Sequence, residues 1–263
     1  MDNTVLPQAL ADQWQAQVQY LQSSVGVPHI DAIIDLSGDT LPCLATLPAL
    51  SPQAQWSSLF AGLPESALQD QGPVLVRLHN NAWQHQQWLG ELMRYYAGRH
   101  RLLLLVSPLA FSVLQQQLCS LTQFFWGNQS GIFRFYDPRI FPELFNHVLT
   151  PGQQNAFNQL GYFWGWLDRD NQQTWRAGKF RPHSDAVFQP HELQFTDKQI
   201  DAIGCISDAD IAARMYTGTG LTPEVLFGRC LEAAFAAARS ASGTLEDYLD
   251  ITVHNPGKAH DAE

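Results

Sequence analysis

The sequence predicts an α/β lobe over residues 1–168, with a mostly parallel sheet flanked by helices, and a smaller all-α lobe over residues 191–263. Three observations lead to this prediction. Short apolar runs alternate with helical patterns in the first part of the chain, which is typical of α/β layers. Residues 169–190 are polar, contain Gly178 and Pro182, and lack sustained periodicity, which indicates a connection between lobes. Beyond this connection only helical patterns follow.

Short apolar runs mark the candidate strands of the first lobe. Each run has the length of a strand, and each is followed closely by a signal for the start of a helix. Because parallel strands need such crossover helices, we expect most strands to be parallel. The runs lie at residues 30–36, 74–78, 102–106, 133–136 and 162–167.

The helix starts carry an explicit signal, a capping side chain directly before a proline. Ser, Thr or Asp at the N-cap accepts a hydrogen bond from an otherwise unsatisfied backbone amide, and proline fits the first helical position because it has no amide hydrogen. We therefore expect a helix to begin at each such pair. The pairs are Ser51-Pro52, Ser107-Pro108, Asp137-Pro138, Thr150-Pro151 and Thr222-Pro223.

Apolar residues also recur at helical spacing along the chain. In the first lobe such helices are expected to pack on the sheet, and in the second lobe two of them form the body of the lobe. The first C-terminal helix carries a stripe of large apolar residues, Ile200, Ile203, Ile211 and Met215. The tail from Asn255 is expected to fray. The helical segments are residues 7–22, 83–95, 109–121, 140–148, 196–217 and 222–240.

Composition and charge exclude several classes of protein. With 263 residues, 45% hydrophobic and 15% charged, the chain is folded rather than disordered. The formal net charge is −10, and it divides into −7 over residues 1–76, +5 over 77–181 and −8 over 182–263. An acidic chain disfavours nucleic acid and anionic membranes as partners. The basic middle is either ordinary surface variation or a local positive field where a partner enters.

The sequence predicts a cytoplasmic protein without a stable membrane insertion. No basic region follows Met1, and the longest apolar run, residues 102–106, is far shorter than the roughly 20 residues that span a bilayer. The cysteines Cys43, Cys119, Cys205 and Cys230 are scattered, without the spacing of a zinc site. They are interpreted as reduced thiols, and no cofactor is expected.

A search for catalytic motifs leaves one candidate. The chain has no Walker loop, no nucleophile elbow and no H-E-x-x-H motif. A metal-dependent hydrolase that uses Asp31, Asp35, His79 and His85 is the alternative function, since carboxylates and imidazoles near strand ends are suitable ligands. Nearby, Arg77 interrupts an apolar strand, so it either pairs with a carboxylate or extends its guanidinium to solvent.

The densest signal is the segment Phe133-Arg134-Phe135-Tyr136-Asp137-Pro138-Arg139. Strand alternation would place the two phenylalanines on one face and Arg134 and Tyr136 on the other. Asp137 would then cap a helix that begins at the proline, and Arg139 would need an acidic partner because a cation opposes the helix dipole there. We call these seven residues the FRFYDPR segment.

The FRFYDPR segment resembles the hallmark of the type VI secretion effector-adaptor family. Further blocks are similar to that family in the same order, so that the resemblance covers residues 28–168. It implies a non-enzymatic cytoplasmic chaperone that binds a cognate effector, often through a segment near the effector's N-terminus, and promotes its loading onto the VgrG spike. The further blocks are Ile30-Asp31-Ala32-Ile33-Ile34-Asp35, Trp56-Ser57-Ser58-Leu59-Phe60-Ala61-Gly62, Gly72-Pro73-Val74-Leu75-Val76 and Phe163-Trp164-Gly165-Trp166.

The junction of the two predicted lobes is the candidate partner-binding surface. Aromatic and arginine side chains are enriched at the centres of protein interfaces, and a cleft between lobes suits an inserted helix or strand. Two alternatives stay open: the strand tryptophans face a core, and the FRFYDPR segment has only the structural task of joining sheet to helix. The candidate partner-binding residues are Trp164, Trp166, Arg169, Trp175, Arg176, Lys179 and Arg181.

Overall fold

The computed structural model describes residues 8–38, 43–181, 192–216, 218–240 and 243–254. The predicted fraying of the tail from Asn255 and part of the predicted connection between lobes lie outside these residues. The chain divides into two units. The first comprises Met1–Phe141 and Thr150–Gln194, and the second comprises Pro142–Leu149 and Phe195–Glu263.

The described part of the first unit contains both strands and helices, and that of the second contains helices. The strands are β1 (His29–Asp35), β2 (Gln55–Ser58), β3 (Pro73–His79), β4 (Leu102–Val106), β5 (Gln123–Trp126), β6 (Gln129–Ile132), β7 (Phe163–Leu167), β8 (Gln173–Ala177) and β9 (Leu193–Gln194). The α-helices are α1 (Gln8–Val25), α2 (Cys43–Thr46), α3 (Trp83–Tyr96), α4 (Phe111–Leu121), α5 (Phe141–Glu143), α6 (Pro151–Asn158), α7 (Asp197–Met215), α8 (Pro223–Arg239) and α9 (Leu245–Leu249). Short 3-10 helices (Leu47–Ala49, Pro64–Leu68) and π-helical segments (Leu144–Val148, Asp250–His254) complete them.

The main sheet of the first unit is antiparallel throughout, so the prediction of a mostly parallel sheet is wrong. Its six strands follow the order β2-β3-β1-β4-β7-β8, and every neighbouring pair is antiparallel. The β3-α3-β4 crossover does bring two strands into the same direction, because both are antiparallel to β1. However, β1 lies between them. Strands that are buried on both faces carry continuous apolar runs whatever their direction, so the runs did not reveal this insertion.

Helices cover both faces of this sheet. On one face, Trp14 and Val18 of α1 and Trp88 of α3 form a core with Ile30 and Ile34 of β1. The opposite face carries the alternate strand residues, and it packs against α4, α6 and the FRFYDPR segment. There the guanidinium carbon of Arg77 lies 5.6 Å from the ring centre of Phe111, and Trp164 lies 6.4 Å from Phe157. We call this the α4 face of the sheet.

Residues 133–136 do not form the predicted strand. They follow a smaller three-stranded sheet, with the order β6-β5-β9, and they turn away from it. The turn is held by backbone bonds from the amide of Phe133 to the carbonyl of Thr122 and from the amide of Asp137 to the carbonyl of Arg134. Strand pairing in this region therefore comes from Gln123–Trp126 and Gln129–Ile132 instead, joined at Gly127, whose φ is +56°.

Two of the predicted helix starts are confirmed. The Thr150 hydroxyl accepts the Gln153 amide hydrogen at the start of α6, and the Thr222 hydroxyl accepts that of Val225 at the start of α8. The other three pairs, Ser51-Pro52, Ser107-Pro108 and Asp137-Pro138, do not begin helices. At two of them the side chain still accepts a backbone amide hydrogen, from Leu109 to the Ser107 hydroxyl and from Arg139 to the Asp137 carboxylate. The α-helices that follow begin only at Phe111 and Phe141.

The second unit is helical, with α7, α8, α9 and two π-helical segments. The helices predicted over residues 196–217 and 222–240 are confirmed as α7 and α8. α7 buries four small side chains, Ala202, Cys205, Ala209 and Ala212, together with the larger Gln199 and Ile206. Within the described ranges, no helix is both long enough and apolar enough to cross a membrane.

Candidate functional site

A buried ion pair occupies the α4 face of the main sheet. Asp31 on β1 and Arg77 on β3 are directly opposite in the strand register, and their exposed fractions are 0% and 5%. Arg77 donates from Nε to Oδ1 of Asp31 at 2.7 Å and from Nη2 to Oδ2 at 2.9 Å. This bidentate geometry satisfies both charges, so the arginine that interrupts an apolar strand pairs with a carboxylate.

His29 extends the ion pair at the start of β1. Its Nε2 lies 2.9 Å from the carbonyl oxygen of Ser107 and 3.9 Å from Oδ2 of Asp31. Burial, followed by the nearby Arg77 charge, lowers the pKa of His29 to about 4. Burial raises the pKa of Asp31 to about 6, although its hydrogen bonds to Arg77 act in the opposite direction. At neutral pH His29 is therefore uncharged, and Arg77 is the local cation.

His79 and His85 lie beside this pair. The backbone amide of His79 donates to Nδ1 of His85 at 3.0 Å, so Nε2 of His85 carries the ring proton and donates to the Pro52 carbonyl at 2.6 Å. Both ring nitrogens of His85 are thus engaged within the fold. Burial, with further contributions from His85 and Arg77, lowers the pKa of His79.

The residues of the hydrolase hypothesis do not converge on a metal site. Asp31 is bound to Arg77, Asp35 is bound to Arg134, and His85 is bound through both ring nitrogens. Among the residues that the structure describes, no group of three or more His, Cys, Asp or Glu side chains is arranged to hold a metal ion.

A second ion pair connects the FRFYDPR segment to the first strand. Nη2 of Arg134 donates to Oδ2 of Asp35 at 2.7 Å. The arginine side chain is 48% exposed, whereas that of Asp35, at the end of β1, is only 5% exposed. Asp35 also accepts the amide hydrogen of Ser37 at 3.0 Å. Arg134 therefore shields a nearly buried carboxylate while its own side chain stays partly accessible.

A third pair is internal to the FRFYDPR segment. Asp137 accepts hydrogen bonds from the Arg139 amide and from its Nε, both at 3.0 Å, and from its Nη2 at 2.6 Å. Burial opposes ionisation of Asp137, but its hydrogen bonds to Arg139 prevail and lower its pKa. Arg169 then donates to the Arg139 carbonyl at 2.9 Å. The acidic partner that the sequence required for Arg139 is Asp137.

The remaining residues of the segment are buried. Phe135 is fully buried and meets Phe157 edge to face, with ring centres 5.3 Å apart. Phe133, Tyr136 and Pro138 are also buried. Burial, together with the Asp35 charge, raises the pKa of Tyr136 above its ordinary value. Most of the FRFYDPR segment is thus part of the core, and Arg134 is its exposed member.

The structure places the candidate partner-binding residues in different environments. Trp164 and Trp166 are buried against Phe141 on the α4 face, with ring centres 5.1 and 5.4 Å away. Trp175 is half-buried on the opposite face, where it packs on the core formed with α1 and α3. Arg169 binds the Arg139 carbonyl, and Arg176 is half-buried. Only Lys179 and Arg181 of this set are exposed.

The link between Asp35 and Arg134 was not predicted. The two residues are 99 positions apart, and no spacing rule relates them. Both residues belong to sequence blocks that resemble the adaptor family. This common resemblance was the one feature of the sequence that could have suggested a contact between them. The partner of Arg77 was missed for a similar reason, since Asp31 is 46 positions away.

One protein-family model matches a stretch of the chain that contains most residues of this site. Residues 32–156 match the family model described as Domain of unknown function (DUF4123). This stretch is a DUF4123 domain. It begins within β1 and ends within α6, and it contains Asp35, Arg77 and the FRFYDPR segment. The family description states no function. Comparison with curated proteins and comparison with solved structures both give no match.

Proposed function

We propose that this chain is a non-enzymatic cytoplasmic adaptor of a type VI secretion system, which binds a cognate effector and promotes its loading onto the VgrG spike. The observation that carries the proposal is the ion pair between Arg134 and Asp35. It joins the two sequence blocks with the clearest resemblance to the adaptor family, and it lies within the DUF4123 domain. The resemblance therefore extends to residues that the fold brings into contact.

The use of the charged residues supports binding rather than catalysis. Asp31, Asp35 and Asp137 each hold an arginine of the same unit, and His85 holds two backbone groups. Side chains with these tasks orient strands and turns. Their removal is expected to lower the free energy of unfolding. Among the residues that the structure describes, no cluster of side chains favours the metal-dependent hydrolase.

We infer that the edge of the main sheet at β8 contacts the effector. β8 is the last strand in the sheet order, and its end residues Gln173 and Ala177 are exposed. Lys179 and Arg181 follow directly and are exposed as well. An edge strand offers backbone hydrogen bonds to an added strand, and the two cations favour an acidic segment. The occupant is then an extended, acidic segment of the effector.

The test is co-purification with the products of neighbouring genes. The full chain, carrying an affinity tag, is co-expressed with the neighbouring toxin and, separately, with the toxin and the VgrG spike protein. We expect toxin capture that weakens as salt increases, and a complex that contains the spike only when the toxin is present. A toxin from an unrelated secretion cluster is the matched control.

Two outcomes would overturn the proposal. One is equal capture of the cognate and the unrelated toxin, because an adaptor must discriminate between clients. The other is a stoichiometric metal that survives dialysis together with hydrolytic activity that disappears on chelation, which would favour the hydrolase.

A further inference from the structure

Helix α7 exposes large apolar side chains. Ile211 is 53% exposed and Met215 is 75% exposed. The opposite face of α7 carries small residues, which allow close packing, and the Cys205 thiol lies 3.7 Å from the Ala234 carbonyl of α8. The face of α7 that carries the small side chains thus packs into the core of the second unit. Of the predicted apolar stripe, Ile211 and Met215 are left exposed, whereas Ile200 and Ile203 are half-buried.

The exposed residues belong to a groove between α7 and α9. Ile211, Met215 and Tyr216 line it from α7 and its C-terminal end, and Leu249 lines it from α9. The cavity volume is about 500 Å³, which is large enough for several aliphatic side chains. Since Met215 is mostly exposed, the groove is open and does not enclose a small molecule. We call it the α7–α9 groove.

The rim of the α7–α9 groove is acidic. Asp208, Glu246 and Asp250 contribute its charged side chains, and all three residues are exposed. The groove has no lysine or arginine among its lining residues, all of which lie in the described part of the second unit. The negative charges of the rim also affect Tyr216. Burial, and then the charges of Asp250 and Glu246, raise the pKa of its hydroxyl.

We propose that the α7–α9 groove is the docking site for a cationic amphipathic helix of a partner protein. An apolar floor accepts the aliphatic face of such a helix, and the acidic rim attracts lysines and arginines that flank that face. Methionine suits this task because its flexible, polarisable side chain adapts to an incoming surface. The occupant differs in charge from the acidic segment proposed for β8. The inference holds whether or not the partner is a secretion effector.

A direct test uses a labelled helical peptide with leucines on one face and lysines on the other. Fluorescence anisotropy measures its binding to the full chain. The matched peptide, with glutamate in place of every lysine, is expected not to bind. In the wild-type complex, hydrogen exchange is expected to slow at residues 208–216 and 245–250. This second measurement requires no substitution, so it does not depend on the folding of a variant.

Substitutions distinguish binding in the groove from non-specific attraction of a cationic peptide to an acidic chain. Ile211→Ser with Met215→Ser removes the apolar floor without changing the charge of the groove, and it is expected to weaken binding by roughly tenfold or more, as loss of an interface anchor does. Val225→Ser is the control, since Val225 is also exposed and apolar but does not line the groove. Glu246→Lys should weaken binding more than Asp201→Lys, which has the same charge change outside the groove.

Three results would overturn the inference. The first is equal peptide binding to the groove variant and the Val225→Ser control. The second is exchange protection that is absent from both groove segments. The third is self-association of the wild-type chain that the groove variant abolishes, because the occupant would then be a second copy.

Discussion

The α4 face of the first unit and the α7–α9 groove of the second differ in how their acidic side chains are placed. On the α4 face, Asp31 and Asp35 are nearly inaccessible, and each is bound to an arginine. In the groove, Asp208, Glu246 and Asp250 are exposed and lie beside apolar side chains. A buried charge requires a partner within the fold, whereas an exposed charge next to apolar surface is available to another molecule.

This difference separates structural roles from recognition roles. The Asp31–Arg77 pair joins β1 to β3, and the Asp35–Arg134 pair joins β1 to the FRFYDPR segment, while the Asp137–Arg139 pair holds the turn of that segment. Substitutions there should change stability first. Substitutions in the groove or at the end of β8 should change binding while stability stays nearly constant. Four measurements test this distinction, from the largest expected effect to the smallest.

Breaking the buried pair has the largest expected effect. Arg77→Met leaves the Asp31 carboxylate buried without its partner, and the free energy of unfolding is expected to fall by about 3–5 kcal/mol. Urea denaturation measures this change. The double variant Asp31→Leu/Arg77→Met should recover most of the loss, because two apolar side chains leave no uncompensated charge. Asp208→Asn, on the groove rim, should stay within about 0.5 kcal/mol of wild type. A single Arg77 variant as stable as the rim variant would contradict the distinction.

Removing the exposed arginine of the FRFYDPR segment has an intermediate effect. Arg134→Met leaves Asp35 with its hydrogen bond from Ser37, and we expect a loss of about 1–3 kcal/mol. The loss is smaller than for Arg77 because the Arg134 side chain is already 48% exposed. Thermal unfolding provides the measurement. Arg181→Met, at an exposed cation in the same unit, is the control and should leave the melting temperature unchanged.

Acid should weaken the first unit through His29. Its pKa falls from 6.5 to about 4 on folding, so between these values the unfolded chain binds more protons and stability decreases as the pH falls. Asp31 acts with the opposite sign, because its pKa rises from 3.8 to about 6 and the folded state gains protons first. His29→Gln keeps a donor for the Ser107 carbonyl but does not titrate. Its urea midpoint should decrease less than that of wild type between about pH 6.5 and pH 4. Parallel pH profiles would exclude His29 as the cause.

The smallest effect on stability is expected at the end of β8. Lys179→Ala with Arg181→Ala removes two exposed cations, so the free energy of unfolding should change by less than about 0.5 kcal/mol. Capture of the cognate effector should nevertheless weaken, and the difference from wild type should shrink as salt screens the charges. Capture that is unchanged at low salt would remove these residues from the proposed surface. Arg176 is omitted because it is half-buried, so its substitution would mix the two effects.

The sequence predicted helical and strand periodicity well, but only two of the five capping pairs begin helices. The amphipathic patterns located α1, α3, α4, α7 and α8, and four of the five apolar runs overlap strands of the main sheet. The remaining run, residues 133–136, failed because buried aromatic residues in a turn look like a strand in a single sequence. The hairpin of β5 and β6 was missed although Gly127-Asn128 between two strand-forming runs is a recognised turn signal.

The candidate sites were only partly predictable. The FRFYDPR segment and Arg77 stood out because charged residues among apolar neighbours need an explanation. Trp164 and Trp166 were interpreted as partner contacts, but strand alternation directs both side chains to the buried face of the sheet. The α7–α9 groove was not foreseen, since the periodicity of α7 does not say which of its faces another helix will cover.

Local chemistry along the sequence by itself determined the helices, their caps at Thr150 and Thr222, and most strand positions, because these depend on residues within a few positions of one another. Only the tertiary structure decided the antiparallel order of the sheet, with β1 between β3 and β4. It also decided the pairing of Arg134 with Asp35 and the exposure of Met215. These features depend on the path of the chain between distant residues, which local periodicity and capping do not encode.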